Sequence, residues 1–401
     1  IKRIPVIKYF NRLVQKCIPF LNMGRKSDYF TLSSKIRKLK PLIFHALVTD
    51  YFYKVIANTQ STESKSELRL NRPRASRALE DEDIANTLFG QACSQGLSLN
   101  LEQFKQNERA FTVNFASEGA TDAGGPYREA VTQMARELQS SGHLLALCPN
   151  GKFSLGENRD KFIPRPSLNS GEHLEWYKFV GVLMGISLRT KGAFEINLPS
   201  IIWKPLVGSE PTVDDLVAID NLAIKALDAI RDYEDPESFT EIFMENFTTH
   251  LPDGSEVPLC AGGQNIELTY ENRNEYCDLV IQTQMHAFDR QIRAIREGLS
   301  AIVPLRIIDG YFSWHQLELL VCGKPEMDVE LLKSMTEYSD NLSSTDELIQ
   351  WFWQCVEEME PEQHGLFLRF VWGRSRLPLT AAGFGRKFKI ESSYSEPHDD
   401  H

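Results

Sequence analysis

An α+β fold dominated by helix is predicted by three features of this sequence. Apolar residues recur at three and four along most of it, short alternating runs interrupt them, and turn signals separate the two patterns. Phe10, Leu13, Val14, Cys17 and Ile18 show the first and place helices over residues 1–57. RAFTVNF (109–115) shows the second and reads as a strand. Pro252-Asp253-Gly254 and Gly262-Gly263, on either side of a short strand at 257–259, show the third.

Taken in order, residues 58–66 are polar and turn-rich and read as a linker. Arg72, Arg74 and Arg77 then crowd around Pro73 ahead of an acidic LEDED run. After the 109–115 strand, SEGATDAGGP (117–126) is a glycine-rich turn in which Glu118 and Asp122 are expected to satisfy backbone amides. Pro126 suits a first helical position, and Ala130, Val131, Met134 and Leu138 mark that helix's buried face. Residues 172–191 are apolar nearly all round, so they form a buried helix. Gly181 and Gly185 on it are expected to admit a second helix at close range. Thr212 to Asp215 has capping-box character. Asn272 and Glu275 read as the cap and partner of one long helix to about Gly298. No repeat of 20–50 residues is evident.

The 401 residues allow two or three domains, and 42% hydrophobic with 25% charged residues is ordinary for a globular protein. The net charge of −11 is unevenly spread: residues 1–77 hold 17 Lys+Arg and 4 Asp+Glu, a net +13, which leaves −24 for the rest. An acidic body argues against nucleic acid as a general partner. The basic part suits RNA, anionic lipid or an acidic protein, or more plainly its own acidic neighbour. The apolar run 179–188 is about half a membrane span, so no span is expected. Seven scattered cysteines without a CxxC pair favour reduced thiols and a cytoplasmic, also nuclear, location. A first residue of Ile is read as a start inside a longer chain.

The candidate sites have bland readings beside them. The 117–126 loop lacks a Gly-Lys-Ser/Thr ending, so it is no phosphate loop, and no cofactor is implied. Cys355 lies on LIQWFWQCVEEM with Leu348, Phe352 and Met359 at helical spacing, a core-facing stripe. Glu357 and Glu358 beside it make a poor setting for a thiolate. Cys322, before Gly323 at a helix C-terminus, and Cys148, in a turn, are no better nucleophiles. His398, Asp399, Asp400 and His401 could chelate only weakly, so no metal site is expected.

Nine segments in order resemble those of HECT-type ubiquitin ligases over roughly residues 97–390. They are VNFASEGATDAGGPYREA, LCPNGKF, FIPRPS, YKFVGVLMGISLRTK, IIWKPLVG, the acidic helix-turn at 228–235, LTYENRNEY, ELLVCGKP and LIQWFW. GGPYRE and LFLRFVWGRSRLP look most like the giant HERC branch. The resemblance implies a bilobal domain: a basic helical region at 1–97, a complete N-terminal lobe at 98–337, a hinge at 338–345, and an incomplete C-terminal lobe at 346–401. It implies partners too, namely a ubiquitin-conjugating enzyme, ubiquitin and protein substrates.

By the same resemblance, a subdomain at about 220–300 docks the conjugating enzyme. Leu227, Ile230 and Tyr233 share one helical face, Tyr276 and Val280 another, and together they are expected to line an exposed groove rimmed by Asp232, Glu234 and Asp235. The plainer reading makes them core contacts of a small subdomain. The family's thioester cysteine sits in a Leu-Pro…Thr-Cys-Phe segment that is not found here, so it is expected beyond His401 and no catalytic residue is assigned. An incomplete second lobe is expected to leave Trp351, Trp353, Phe367 and Phe370 partly exposed. Beside a ligase stand two other readings: a truncated, non-catalytic binding module that sequesters conjugating enzyme or substrate, and a helical scaffold.

Overall fold

The computed structural model describes all residues except 1–2, 22–30, 81–82, 117–124, 141–142, 324–326, 340–341, 373–376, 378–380, 382–383, 385–386 and 392–401. The expectations for Glu118 and Asp122 and for the 398–401 cluster fall outside these described residues. The chain opens with α1 (Ile4–Cys17), α2 (Leu32–Lys38), α3 (His45–Ala57), β1 (Ser66–Leu70), α4 (Arg72–Glu80), α5 (Leu88–Ser98), β2 (Phe111–Phe115) and α6 (Gly125–Ser140). Next come β3 (Leu145–Leu147), α7 (Pro149–Lys152), β4 (Phe162–Pro164), α8 (Gly171–Thr190), α9 (Ser200–Leu206) and α10 (Val213–Val217). A smaller unit follows, with α11 (Asn221–Arg231), α12 (Phe239–Ile242), β5 (Thr248–His250), β6 (Glu256–Pro258) and α13 (Arg273–Met285). The remainder is α14 (Asp289–Ile302), α15 (Leu305–Tyr311), α16 (Trp314–Cys322), α17 (Val329–Ser334), β7 (Thr336–Tyr338), α18 (Glu347–Glu357), α19 (Pro361–Trp372) and β8 (Phe388–Ile390). Helix dominates and the strands pair only two by two, so the α+β expectation holds.

The basic N-terminal region is not a separate domain. Strand β1, which begins at the last residue of the expected 58–66 linker, runs parallel to β2 from Ser66 opposite Phe111 to Leu70 opposite Phe115. Leu68, Leu70, Phe111, Val113 and Phe115 turn one face of the pair inward. The linker itself is pinned, since Ser61 N donates to Lys105 O at 2.9 Å and Thr59 accepts from Arg189. Val14, Ile18, Val48 and Phe52 share one buried cluster with Phe179 and Ile295, so a boundary at 97/98 cuts through a single core. Local signals could not show this, because the strand's partner lies some forty residues away.

That core is organised by α8 and α14. A Cβ on Gly181 would stand 1.8 Å from Ile295 O, one on Gly298 1.8 Å from Lys178 O, and one on Gly185 2.6 Å from the Ile302 Cβ. Backbone therefore touches backbone, as the two glycines on α8 foretell. Where α8 ends, the buried Arg189 guanidinium donates to Ile302 O (2.8 Å), Ile56 O (3.0 Å) and Thr59 O (3.2 Å). It thereby closes the C-terminal ends of α14 and α3. Burial lowers the Arg189 pKa to about 10, with Glu102 opposing. Thr212 and Asp215 form the expected capping box at α10. Burial disfavours the Asp215 carboxylate, but hydrogen bonds from Lys204, Ser200 and Thr212 outweigh it and hold its pKa down.

Three expectations are corrected. The long helix from Asn272 is two helices, α13 and α14, broken at 286–288 so that Phe288 can enter the core. The buried stripe of α18 is Ile349, Trp353 and Val356, one residue on from the predicted one, which leaves Leu348 and Cys355 exposed. The hinge does not lie at 338–345. Tyr338 pairs with Ile390, Ser339 N donates to Ile390 O, and Trp353 Nε1 donates to the Tyr338 hydroxyl. A second buried cluster already contains Leu332, with Met327 and Val329 packed on it, so the change from one core to the other falls at 323–327. Trp351 and Phe370 are exposed as expected, whereas Trp353 is buried and Phe367 half-buried.

Gly181→Ala should cost about 3 kcal/mol of stability through overpacking, since the roughly 1 kcal/mol gain in helix propensity cannot offset a contact with a carbonyl. Urea unfolding of the variant against the parent chain measures this.

Candidate docking site

The smaller unit is built from helices whose apolar faces turn towards each other. Asp220 caps α11 by accepting from Ala223 N at 3.0 Å. Ile224, Leu227 and Ile230 then recur at three, all buried. On α13 the buried residues are Tyr276, Cys277, Val280 and Gln284. The two helices meet where the Cys277 thiol donates to Leu227 O at 3.5 Å. The Tyr276 ring stands edge-on to Phe247 at 5.5 Å, and its hydroxyl donates to Thr248 O at 3.3 Å. Burial, helped by Glu245, pushes the Tyr276 phenol up to about 12. Gln284 Nε2 donates to His250 O at 2.7 Å and so holds the antiparallel β5–β6 hairpin against α13.

Past the end of α11 an aromatic knot closes the unit. Tyr233 lies edge-on to Phe239 (5.9 Å) and Phe243 (5.4 Å), and Phe239 lies edge-on to Tyr270 (5.8 Å). The Arg273 guanidinium covers the Tyr270 ring at 3.6 Å. The Tyr233 hydroxyl reaches Ser238 Oγ at 2.6 Å, and Ser238 donates to Asp235. This donor and the Glu237 amide hold the Asp235 carboxyl below its usual range.

The structure therefore corrects the expectation of an exposed groove. Leu227, Ile230, Tyr276 and Val280 are buried and Tyr233 is half-buried. The reason is size: a small unit has few apolar residues, and the facing sides of α11 and α13 are consumed by its own core. The acidic rim is where the sequence puts it, since Asp232, Glu234, Asp235 and Glu237 are exposed. What sequence reasoning missed is a neighbouring apolar tip. Met244 is 86% exposed and Ile242 54% exposed, flanked by the exposed Glu241 and Glu245. The signal was present in EIFMENF (241–247): Phe243 and Phe247 face inward, and the residues alternating with them face out.

Ties to the main body fix how this unit is presented. Asp253, at the hairpin turn, accepts from Ser167 Oγ at 2.6 Å and Ser167 N at 2.9 Å. Asn150 Oδ1 accepts from Asn221 N at 2.8 Å, and Lys152 Nζ donates to Pro252 O at 3.3 Å.

The thiols of Cys93, Cys148, Cys277 and Cys322 are buried and point at carbonyl oxygens of Glu175, Asn158, Leu227 and Ile196. Burial pushes Cys93 up to about 12 and raises Cys148 and Cys277 as well, which favours protonated, inert thiols. Among the described residues no group of three or more His, Cys, Asp or Glu is arranged to hold a metal ion.

Tyr276→Ala should remove core rather than surface, costing about 3 kcal/mol or more. Amide exchange checks this: α13 should lose protection while α8 keeps it.

Residues 133–400 match the HECT-domain (ubiquitin-transferase) family. The chain is 32% identical to E3 ubiquitin-protein ligase HERC2 of Mus musculus over 419 aligned residues, covering 99% of this chain and 9% of that protein. HERC2 of Homo sapiens matches with the same identity and coverage. E3 ubiquitin-protein ligase HACE1 of Xenopus tropicalis is 30% identical over 297 residues, 73% of this chain and 31% of that protein. The chain thus spans only a small part of the length of the HERC2 relatives it matches.

Proposed function

Since the chain belongs to the HECT-domain (ubiquitin-transferase) family, we propose that it serves ubiquitin transfer by docking a ubiquitin-loaded conjugating enzyme on its 220–300 subdomain. The observation that carries this reading is the exposed pair Ile242 and Met244, flanked along the chain by the exposed Glu241 and Glu245. Isolated exposed apolar residues are ordinary, but a side chain 86% exposed at the tip of a tied-down unit is a ready anchor. The carboxylates suit a basic partner and would raise its rate of encounter. The buried faces of α11 and α13 support this tip instead of touching the partner.

The chemistry that docking serves is a pair of acyl transfers. A cysteine thiolate attacks the thioester carbonyl that joins ubiquitin to the conjugating enzyme, and the enzyme's thiolate leaves. A substrate lysine amine then attacks the new thioester, forming an amide and releasing the cysteine. The two steps need the acceptor lobe in two positions, and a pivot between the two buried cores, after Cys322 and before Met327, would allow both. Gly323 there has a φ of +78°, a conformation open to glycine. Neither step is assigned to any of the seven cysteines. The second reading, a module that sequesters conjugating enzyme or substrate, would use the same exposed residues, Ile242 and Met244. The proposed place of action is the cytoplasm, and also the nucleus, supported by the odd number of scattered cysteines.

Met244→Asp should weaken binding of a cognate conjugating enzyme at least about tenfold while leaving the melting temperature unchanged. Titration calorimetry with a panel of conjugating enzymes reads this. Unchanged affinity for every member would remove the docking proposal.

A further inference from the structure

The apolar surface of the chain is concentrated where its positive charge is. Residues 1–27 contain no Asp or Glu, and α1 carries Lys8, Arg12 and Lys16, with Arg3 just ahead of it. Its inward face is Asn11, Val14 and, just past its end, Ile18, all buried. Asn11 fixes that orientation: its amide donates to Leu42 O at 2.8 Å and its carbonyl oxygen accepts from Phe44 N at 2.7 Å. The outward face therefore cannot roll inward.

On that outward face two stripes run side by side. Val6, Tyr9 and Leu13 are spaced i, i+3 and i+7, all exposed, and Phe20, 88% exposed, continues the line beyond the helix. Lys8, Arg12 and Lys16 are spaced i, i+4 and i+8 and are exposed as well. Leu42 and Phe44, tied to α1 through Asn11, add exposed apolar surface beside it.

We propose that this face is a peripheral membrane-binding surface, with α1 lying along an anionic lipid bilayer. An apolar stripe bordered by lysine and arginine is the pattern of an interfacial helix, whose apolar side chains enter the headgroup boundary while the long cations reach up to the phosphates. Two other partners fit less well. The desolvated centre of a protein interface is depleted in lysine, yet here Lys8 and Lys16 directly border the apolar line. Nucleic acid would use the cations but leave Val6 and Leu13 without a partner. Charge complementarity supports the same orientation, because the −24 carried by residues 78–401 repels an anionic surface and leaves the N-terminal pole as the one that can approach. No described helix is long and apolar enough to cross the bilayer, so attachment is to its surface.

The test is flotation of the full 401-residue chain with vesicles of phosphatidylcholine, with and without phosphatidylserine. Binding should favour the phosphatidylserine vesicles at least about tenfold and weaken as salt is raised. Leu13→Asp and the pair Lys8→Glu/Lys16→Glu should each abolish most of it, with unchanged melting temperatures because these side chains are exposed. Three results would overturn the proposal: no flotation with either vesicle, flotation that Leu13→Asp leaves intact, or retention on an RNA homopolymer or acidic peptide in place of vesicles.

Discussion

The close approach of α8 and α14 is the constraint on which the rest of this structure depends. Gly181 and Gly298 let each helix rest on a carbonyl of the other, Ile295 O and Lys178 O, with no side chain between them. Such an interface tolerates no added carbon, because a close-packed interior has nowhere to send it. Its far end is closed by Arg189, whose guanidinium meets carbonyls of Ile302, Ile56 and Thr59. A cation at two helix C-termini is favoured by both dipoles, which helps a buried charge persist at that junction. The same residue brings the segment after α3 into the core, which explains why the basic N-terminal region has no core of its own.

Because α14 continues from α13 after the break at 286–288, the helix pair also sets the base of the smaller unit. That unit has to stabilise itself with few residues. It does so with the facing sides of α11 and α13, the aromatic knot around Phe239, and polar ties such as Asp253 to Ser167. Little apolar surface is left for a partner, and its most exposed residues are Met244 and Ile242, between the exposed Glu241 and Glu245. The division is economical in residues: inward faces give rigidity, and the outward tip gives recognition. Anchors held on a rigid base lose less entropy on binding than anchors on a loose one.

What the sequence disclosed and what it hid follow from the range of each interaction. Gly181 and Gly185 four apart, and the Thr212–Asp215 capping box, are local devices, and each is found where its spacing predicts. The acidic rim is legible for the same reason, since charges in a turn stay in solvent. Pairing of Ser66–Leu70 with Phe111–Phe115 was hidden because neither strand announces its partner. The break after α13 depends on burying Phe288, a tertiary demand that helical periodicity does not carry. On α18, Leu348-Phe352-Cys355-Met359 and Ile349-Trp353-Val356 are both apolar rows, and only packing against Leu332 and Phe388 chooses the second. The candidate site shows the same limit. Periodicity correctly grouped Leu227 with Ile230 and Tyr276 with Val280, but it could not say whether each shared face met a partner or another helix.

The central claim is that a conjugating enzyme meets the Ile242–Met244 tip and not the α11–α13 interface. A photo-crosslinking amino acid placed at Met244 tests it most directly, with one at the exposed Leu155 in the body as control. The account predicts that the Met244 position captures a ubiquitin-loaded conjugating enzyme and the Leu155 position does not. Capture at Leu155 alone, or at neither position by an enzyme shown to bind the chain, would contradict it.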